Sequence, residues 1–566
     1  MSAMATDRVM LFTQCLQNDF VRKLAPTEPL PNLLHVGREE SRRLLGEDPA
    51  EGPLARFLDS FAEGGRHLSV HIRDWHSGED LAQRAHLEHF GTHCVRDTDG
   101  ARFIPPLEAL IAERSRGAIV IDSLGLSDFE GTPLAAVLQE RIGAADLPRA
   151  KAGIVGVWTD VKVQYLAYEL ATRLGIEQIA VSSALVASRS RARHRAALEH
   201  LREMLGVIVF DSTPEFLDWL EVDAAAASSP VRVARFGTEV AVREGDPPIG
   251  KEEQGLVSYL FRNSLRVTLT RLAGGFSGSR VYRTHSEDRA GRAEVPYVVK
   301  LDTHAKIARE RVGVESVESL LGPASPTIAD YVDGPVLGAV KYGFASMHHS
   351  ETRTLLSRLR SAAGPEVVRR LFDGVLRLLE RLHQAPQPER MQLFHHFTFR
   401  PEYAASTLTQ ARAVAGDSDD ARVRALERFY ARLPEFLGEE PREVEVCLIH
   451  GDLNLANLLL DDAGNTWLID YFSTGAGPLL QDVVKLANDI RFIAFAAHDT
   501  SRRREAALEV LEGYLARALG GPLDERARCI AALRYAAHSL SFDECDAAQK
   551  DLALTAAAEA ATALGA

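Results

Sequence analysis

From residue 7 to about 220, short apolar runs alternate with stretches of helical period. RVMLFT, HLSVHIR, GAIVID, AGIVGVW, EQIAVSSAL and LGVIVF each have the length and β-branched content of a buried strand. Between several of them lie DVKVQYLAYELATRLG and RARHRAALEHLREMLG, where apolar residues recur every three or four positions and a glycine closes the run. This alternation predicts a three-layer α/β domain over residues 1–222, a parallel sheet covered by helices on both faces. Right-handed crossovers would gather its functional loops at the carboxyl ends of the strands. Residues 223–255 break the pattern. DAAAASSP is a low-complexity joint, and VRVARFGTEVAVREGDPPIG holds one or two short strands. From 256 to 566 strands come first and helices follow, interrupted by VCLIHGDLNLANLLLDDAGNTWLIDYF, which predicts a two-lobed α+β domain.

Composition narrows the function. The 566 residues carry 65 Lys and Arg against 79 Asp and Glu, a net charge of −14. Such a chain lacks the basic surface that sequence-independent nucleic-acid binding requires. No apolar run approaches the roughly eighteen residues of a membrane span. The start shows no signal-peptide pattern, and the five cysteines are too scattered for a disulfide framework. A cytoplasmic protein is the expectation.

The most pointed chemistry lies in HGDLNLANLLLDDAGNTWLIDYF. Phosphoryl transfer needs a carboxylate at the acceptor hydroxyl, with an amide oxygen and a second carboxylate on Mg²⁺. Asp452 and Asn457 on one loop, and Asp470 beyond a hairpin turning at Asp-Asp-Ala-Gly-Asn, can converge on one such centre. Upstream, Gly274, Gly275, Ser277, Gly278 and Ser279 join two strand-like runs. A strand follows them, so the loop is neither a Walker A loop nor a dinucleotide fingerprint and suits a hairpin flap over nucleotide phosphates. Lys300, ending PYVVK, would meet the phosphates. Glu310 would hold it, with Glu315 and Glu318 as alternatives on the same helical segment.

These residues resemble the aminoglycoside phosphotransferase and choline kinase family, a branch of the protein-kinase-like fold. His450 through Asn457 matches its H-G-D-x-x-x-x-N motif, Asp470 its metal aspartate, and Pro478 and Asp482 its usual continuation. The resemblance implies a small-molecule kinase using ATP and Mg²⁺. Asp452 would be the base, Asn457 and Asp470 the metal ligands, Lys300 the phosphate contact and His450 a support for the loop. A nucleotide-sensing effector without turnover is the alternative. The acidic tail at Asp543, Glu544 and Asp546 reads as a solvated helix end, or else as a site for a cationic acceptor.

The first domain resembles the isochorismatase-like and nicotinamidase cysteine-hydrolase family in five collinear segments: FTQCLQNDF, HIRDWH with THCVRDTDGARF, LSDFEGTPLAAVL, GVWTDVKVQYLAYELA and SALVASRSRARHRAALEHL. The family works with Asp, Lys and Cys, but those positions fall here on Cys15, Ser123 and Lys162. Ser123 and Lys162 keep an ordinary 39-residue spacing. A lysine offers no thiolate, so the thioester mechanism cannot run as written. Two readings remain: a binding or scaffold domain, or a permuted site in which the Lys162 ammonium lowers the pKa of the Cys15 thiol and makes it the nucleophile.

Asp74, His76 and, 17 residues further on, His93 give three ligands for Zn²⁺ or another first-row metal, with room for a fourth. His71, His86 and His89 lie nearby and read as bystanders. In nicotinamidases the corresponding metal anchors the pyridine ring. The family also implies a homo-oligomer formed through this domain.

Overall fold

The computed structural model describes the chain apart from residues 1–8, 64–66, 114–117, 223–235, 273–278, 344–351, 417–418, 498, 500–501, 544 and 566. The chain forms two compact units, Met1–Arg309 with Ala329–Tyr342, and Glu310–Ile328 with Gly343–Ala566.

The first unit contains all six expected strands: β1 (Val9–Gln14), β2 (Leu68–Asp74), β3 (Ile119–Ser123), β4 (Lys151–Val157), β5 (Gln178–Ala187) and β6 (Ile208–Phe210). Every pairing is parallel, in the order β3-β2-β1-β4-β5-β6. Central strands of such a sheet are covered on both faces, so they read as unbroken apolar runs; all six residues of β1 are buried. One face packs under Phe20, Phe57 and Phe216, the other under Leu138, Leu166 and Leu201. The helices Gln164–Leu174 and Arg191–Leu205 end at Gly175 and Gly206, both in the left-handed conformation that glycine takes without a Cβ penalty.

The site depends on a close approach of β4 to β1. At Gly156, φ is 120° and a Cβ would run into the Gln14 carbonyl. The β4–β5 register shifts beside it, between Ile154 and Gly156. Only glycine fits there, and the chain then enters a π-helical turn, Thr159–Val163, that carries Lys162.

A second six-stranded sheet follows in the same unit: β7 (Glu239–Val242), β8 (Ser264–Arg271), β9 (Arg280–Asp288), β10 (Tyr297–Thr303), β11 (Thr327–Asp333) and β12 (Leu337–Gly343). It runs in the order β11-β12-β10-β9-β8-β7. β7 is the second short strand expected in 223–255; the first lies outside the described residues. β8 and β9 pair antiparallel, so the glycine-rich segment spans a hairpin as expected, although its tip, with Gly274, Gly275, Ser277 and Gly278, lies outside the described residues. Tyr259 joins the two sheets, its ring between the guanidiniums of Arg56 and Arg262 at 4.3 and 4.4 Å and its hydroxyl donating to the Glu51 carbonyl at 2.8 Å.

The second unit is mostly helical, with small sheets that frame its loops. The strand Arg442–Ile449 delivers the chain to His450. Leu458–Leu460 and Thr466–Leu468 form the expected hairpin, whose turn is closed by the Asp461 carboxylate accepting from the Asn465 amide at 2.9 Å. Among the described residues, no helix is long and apolar enough to cross a membrane.

Candidate functional site

At the carboxyl ends of β1 to β4, the three substituted positions converge on Asp74. Lys162 is 1% exposed, and its ammonium donates to Ser123 Oγ at 2.9 Å, the Gly125 carbonyl at 2.7 Å and Asp128 Oδ1 at 2.6 Å. Asp74 Oδ1 lies 3.2 Å away. Burial alone would lower the Lys162 pKa, but Asp128 and Asp74 outweigh it and hold the side chain as a cation. Asp128, in the SDFEGT segment, went unnoticed in the sequence because nothing local marks it as the lysine's partner.

The surroundings of Cys15 do not favour the permuted site. Cys15, in a left-handed backbone conformation just past β1, hydrogen-bonds to Asp74 Oδ1 at 3.5 Å. Burial and the Asp74 carboxylate push its thiol well above the ordinary range, and Lys162, already spent on two carboxylates, does not reverse this. A thiol in that state is protonated and a poor nucleophile.

Beside this cluster, Asp74, His76, His86 and His93 bring one ligand atom each to within 4.8 Å of one another. The three expected ligands come together, and His86 is the fourth, so its reading as a bystander is corrected. The chain from Leu81 to Phe90 folds back as a 3₁₀ turn and a short helix, which sequence spacing does not reveal. The outer contacts orient the rings. His76 Nδ1 lies 3.0 Å from Gln83 Oε1 and His93 Nδ1 lies 2.7 Å from the Gly91 carbonyl, so each Nε2 is left with a lone pair. Both Nε2 atoms lie 3.7 Å from Asp74 Oδ2. The Nε2 atoms of His76 and His86 are buried without a hydrogen-bond partner. Burial, aided by His76, lowers His86 to about 4, which keeps it neutral. Gln17 fixes the Asp74 backbone, donating to its carbonyl at 2.7 Å and accepting from its amide at 2.8 Å. Imidazoles with free lone pairs around one carboxylate fit a first-row divalent ion.

In the second unit, Asp482 builds the loop that carries Asp452. Its two carboxylate oxygens accept from the backbone amides of His450 at 2.8 Å and Gly451 at 2.9 Å, and His383 Nε2 lies 3.1 Å away. Burial would raise the Asp482 pKa, but His383, His450 and those amides hold it below the ordinary value. Gly451 has φ of 80°, and a Cβ would strike the Ser473 carbonyl. His450 Nε2 lies 3.0 Å from the Ile469 carbonyl, so it braces the loop against the Asp470 segment.

Asn457 Nδ2 donates to the Asp452 carbonyl at 3.0 Å, which orients its amide oxygen the other way. Asp470 follows the hairpin with φ of 67°, a left-handed conformation that aspartate tolerates better than most residues. Asp452 is half-exposed, with Lys485 Nζ 3.9 Å from its Oδ1. Lost hydration raises its carboxyl above the ordinary value, the Lys485 ammonium opposing. An amide oxygen with a carboxylate is an all-oxygen donor set that fits Mg²⁺.

Lys300 is buried on β10, within the first unit. On the helix His304–Leu321, Glu310 is buried, Glu315 pairs with Arg311 at 3.1 Å and Glu318 is exposed. Ser279, at the edge of the glycine-rich segment, donates to Asp302 at 2.6 Å. Asp546 caps the last helix, its carboxylate accepting from the Gln549 amide at 2.8 Å, and Asp543 is exposed, so the tail is a helix end; Glu544 lies outside the described residues.

Two family models match the chain: the isochorismatase domain over residues 53–212, and the phosphotransferase enzyme family over residues 268–526. No curated protein matches it. Among solved structures it is similar to a nicotinamidase/pyrazinamidase from Bacillus subtilis, at 24% identity over 36% of this chain and 98% of that one, with a TM-score of 0.30. A pyrazinamidase from Pyrococcus horikoshii solved in complex with zinc is 24% identical over 36% of this chain and 98% of that one, with a TM-score of 0.26. An aminoglycoside phosphotransferase from Streptomyces rimosus is 16% identical over 51% of this chain and 97% of that one, with a TM-score of 0.31.

Proposed function

We propose that the phosphotransferase domain, placed at residues 256–566, transfers the γ-phosphoryl group of ATP to a hydroxyl of a small molecule. In this reading Asp452 takes the proton of the acceptor hydroxyl as that oxygen bonds to phosphorus and ADP leaves. Asn457 and Asp470 would hold Mg²⁺, which neutralises phosphate charge when bound. Lys300, positioned by Glu310, would contact the phosphates, and the hairpin of Gly274, Gly275, Ser277, Gly278 and Ser279 would cover them. The observation that carries the reading is the Asn457 amide, fixed by the backbone carbonyl of Asp452, so that the proposed metal ligand is oriented by the residue proposed as the base.

The isochorismatase domain, placed at residues 1–222, would bind a ligand without the family's thioester step. Its cation is locked between Asp74 and Asp128, and the Cys15 thiol beside them is pushed well above its ordinary range. Asp74, His76, His86 and His93 would hold Zn²⁺ or a similar ion, which supplies a Lewis-acidic anchor for a ring nitrogen or oxygen when bound. The same reading makes the protein cytoplasmic and self-associating through this domain.

The test is Mg²⁺-ATP turnover by the full chain against a library of hydroxyl-bearing metabolites, with Asp452→Asn as control. Phosphorylated product that the variant fails to make is the expected result. Tight ATP binding without product from any compound would replace the kinase with a nucleotide sensor.

A further inference from the structure

The second unit has an open cleft of about 280 Å³ between residues 398–400, the helix Pro401–Ala415, Tyr430 and the helix Glu525–Ser539. Its lining is chemically one-sided. It includes two guanidiniums, Arg400 and Arg534, with the phenols of Tyr403 and Tyr430, and contains no carboxylate. Arg534 Nε donates to the Phe397 carbonyl at 3.0 Å, which fixes the plane of the group. Among the described residues, neither its terminal nitrogens nor the Arg400 guanidinium has a hydrogen-bond or ion-pair partner. Elsewhere in this unit arginines typically meet a carboxylate, as Arg422 meets Asp420 and Asp551, and Arg526 meets Glu439.

The helix that walls the cleft also reaches the lysine beside Asp452. Lys485 Nζ, 3.9 Å from Asp452 Oδ1, lies 5.4 Å from the ring centre of Tyr535, the residue after Arg534. Burial, with the charges of Arg534 and Lys485 added, lowers His538 in the cleft wall to about 4. The charged groups that line that wall or act on His538, namely Arg400, Arg534 and Lys485, are all cations. A polycationic acceptor would meet two unopposed guanidiniums, whereas a planar oxyanion would complete their hydrogen bonding.

We propose that this cleft seats the phosphoryl acceptor, and that the acceptor carries a carboxylate or phosphate in addition to the hydroxyl that is phosphorylated. The inference rests on the kinase reading above. Arg534 and Arg400 grip the oxyanion, Tyr403 and Tyr430 pack against the body of the molecule, and the hydroxyl faces Asp452. The reaction balances as a simple transfer: the acceptor O–P bond forms, the bond from phosphorus to the bridging oxygen of ATP breaks, and the hydroxyl proton goes to Asp452.

The experiment uses the full chain with γ-labelled ATP and Mg²⁺ against three panels: hydroxycarboxylic acids, hydroxyl-bearing phosphate monoesters, and cationic amino alcohols including aminoglycosides. Label should enter one of the two anionic panels, and which one identifies the oxyanion. Arg534→Gln and Arg400→Gln should each raise the acceptor KM about tenfold or more, leaving the KM for ATP within about twofold. Arg534→Lys should recover part of that loss, and unchanged melting curves exclude misfolding. Label entering only the cationic panel, or an anionic acceptor whose KM ignores both variants, overturns the proposal while the kinase stands. Bound Mg²⁺-ATP with no labelled product from any panel sinks the kinase reading, and the acceptor assignment falls with it.

Discussion

The two sites of this chain treat their charged groups in opposite ways. Around Lys162 the charged groups bind one another: one buried ammonium meets two carboxylates, a hydroxyl and a carbonyl. Around Asp452 the supporting groups are firmly bonded and the carboxylate itself is held only loosely. Asp482 is fully engaged with the loop backbone, while Asp452 is half-exposed and accepts one long bond from Asn454 Nδ2 at 3.4 Å, with Lys485 Nζ 3.9 Å away. A buried side chain whose bonds are complete is a structural element, whatever its ancestry. A half-exposed carboxylate with a raised pKa, held by a loop that is itself braced, is available for proton transfer.

The contrast can be broken most sharply at Asp452. Asp452→Asn should lower phosphoryl transfer by about 10²–10⁴-fold with little change in melting temperature, measured by product formation and calorimetry. Lys162→Met should do the reverse. It leaves Asp74 and Asp128 buried without their cation, so stability should fall by about 3–5 kcal/mol in chemical denaturation while kinase turnover per folded molecule persists. Adding Asp128→Asn should return part of that loss.

A smaller effect sharpens the metal side. Gln83→Leu removes the acceptor that orients His76, so zinc affinity, read by competition with a chromogenic chelator, should fall about 10–100-fold. His76→Ala should abolish binding of the metal equivalent.

The smallest expected effect concerns pH. His71, buried on β2 with Nδ1 2.9 Å from Thr13 Oγ1, is lowered by burial to about 4. The unfolded chain takes up this proton near pH 6.5, and the folded chain only near 4. Between those values the unfolded state binds more protons, so stability falls as pH drops through the window and this contribution levels off below it. His71→Gln should flatten that limb by about one proton in urea denaturation at a series of pH values.

What could be read from the sequence follows the range of the forces involved. The six strands of the first sheet were legible because burial on both faces writes continuous apolar runs. The hairpin before Asp470 was legible because its turn chemistry is local. Asp452, Asn457 and Asp470 lie close enough in sequence for their spacing to carry meaning. His86 and Asp128 were not legible, since each acquires its role only when distant strand ends are brought together. The role of Asp74 between Cys15 and Lys162 was hidden for the same reason: it stands as the immediate partner of both only in the folded chain.

The Lys162 cluster has a historical consequence. If the ancestor carried aspartate, lysine and cysteine at positions 15, 123 and 162, one reversion does not recover it. Lys162→Cys alone strands two buried carboxylates, Ser123→Lys alone crowds a second ammonium against the first, and Cys15→Asp alone adds a third anion. Each single step back crosses a less stable protein, so the exchange of charges acts as a ratchet.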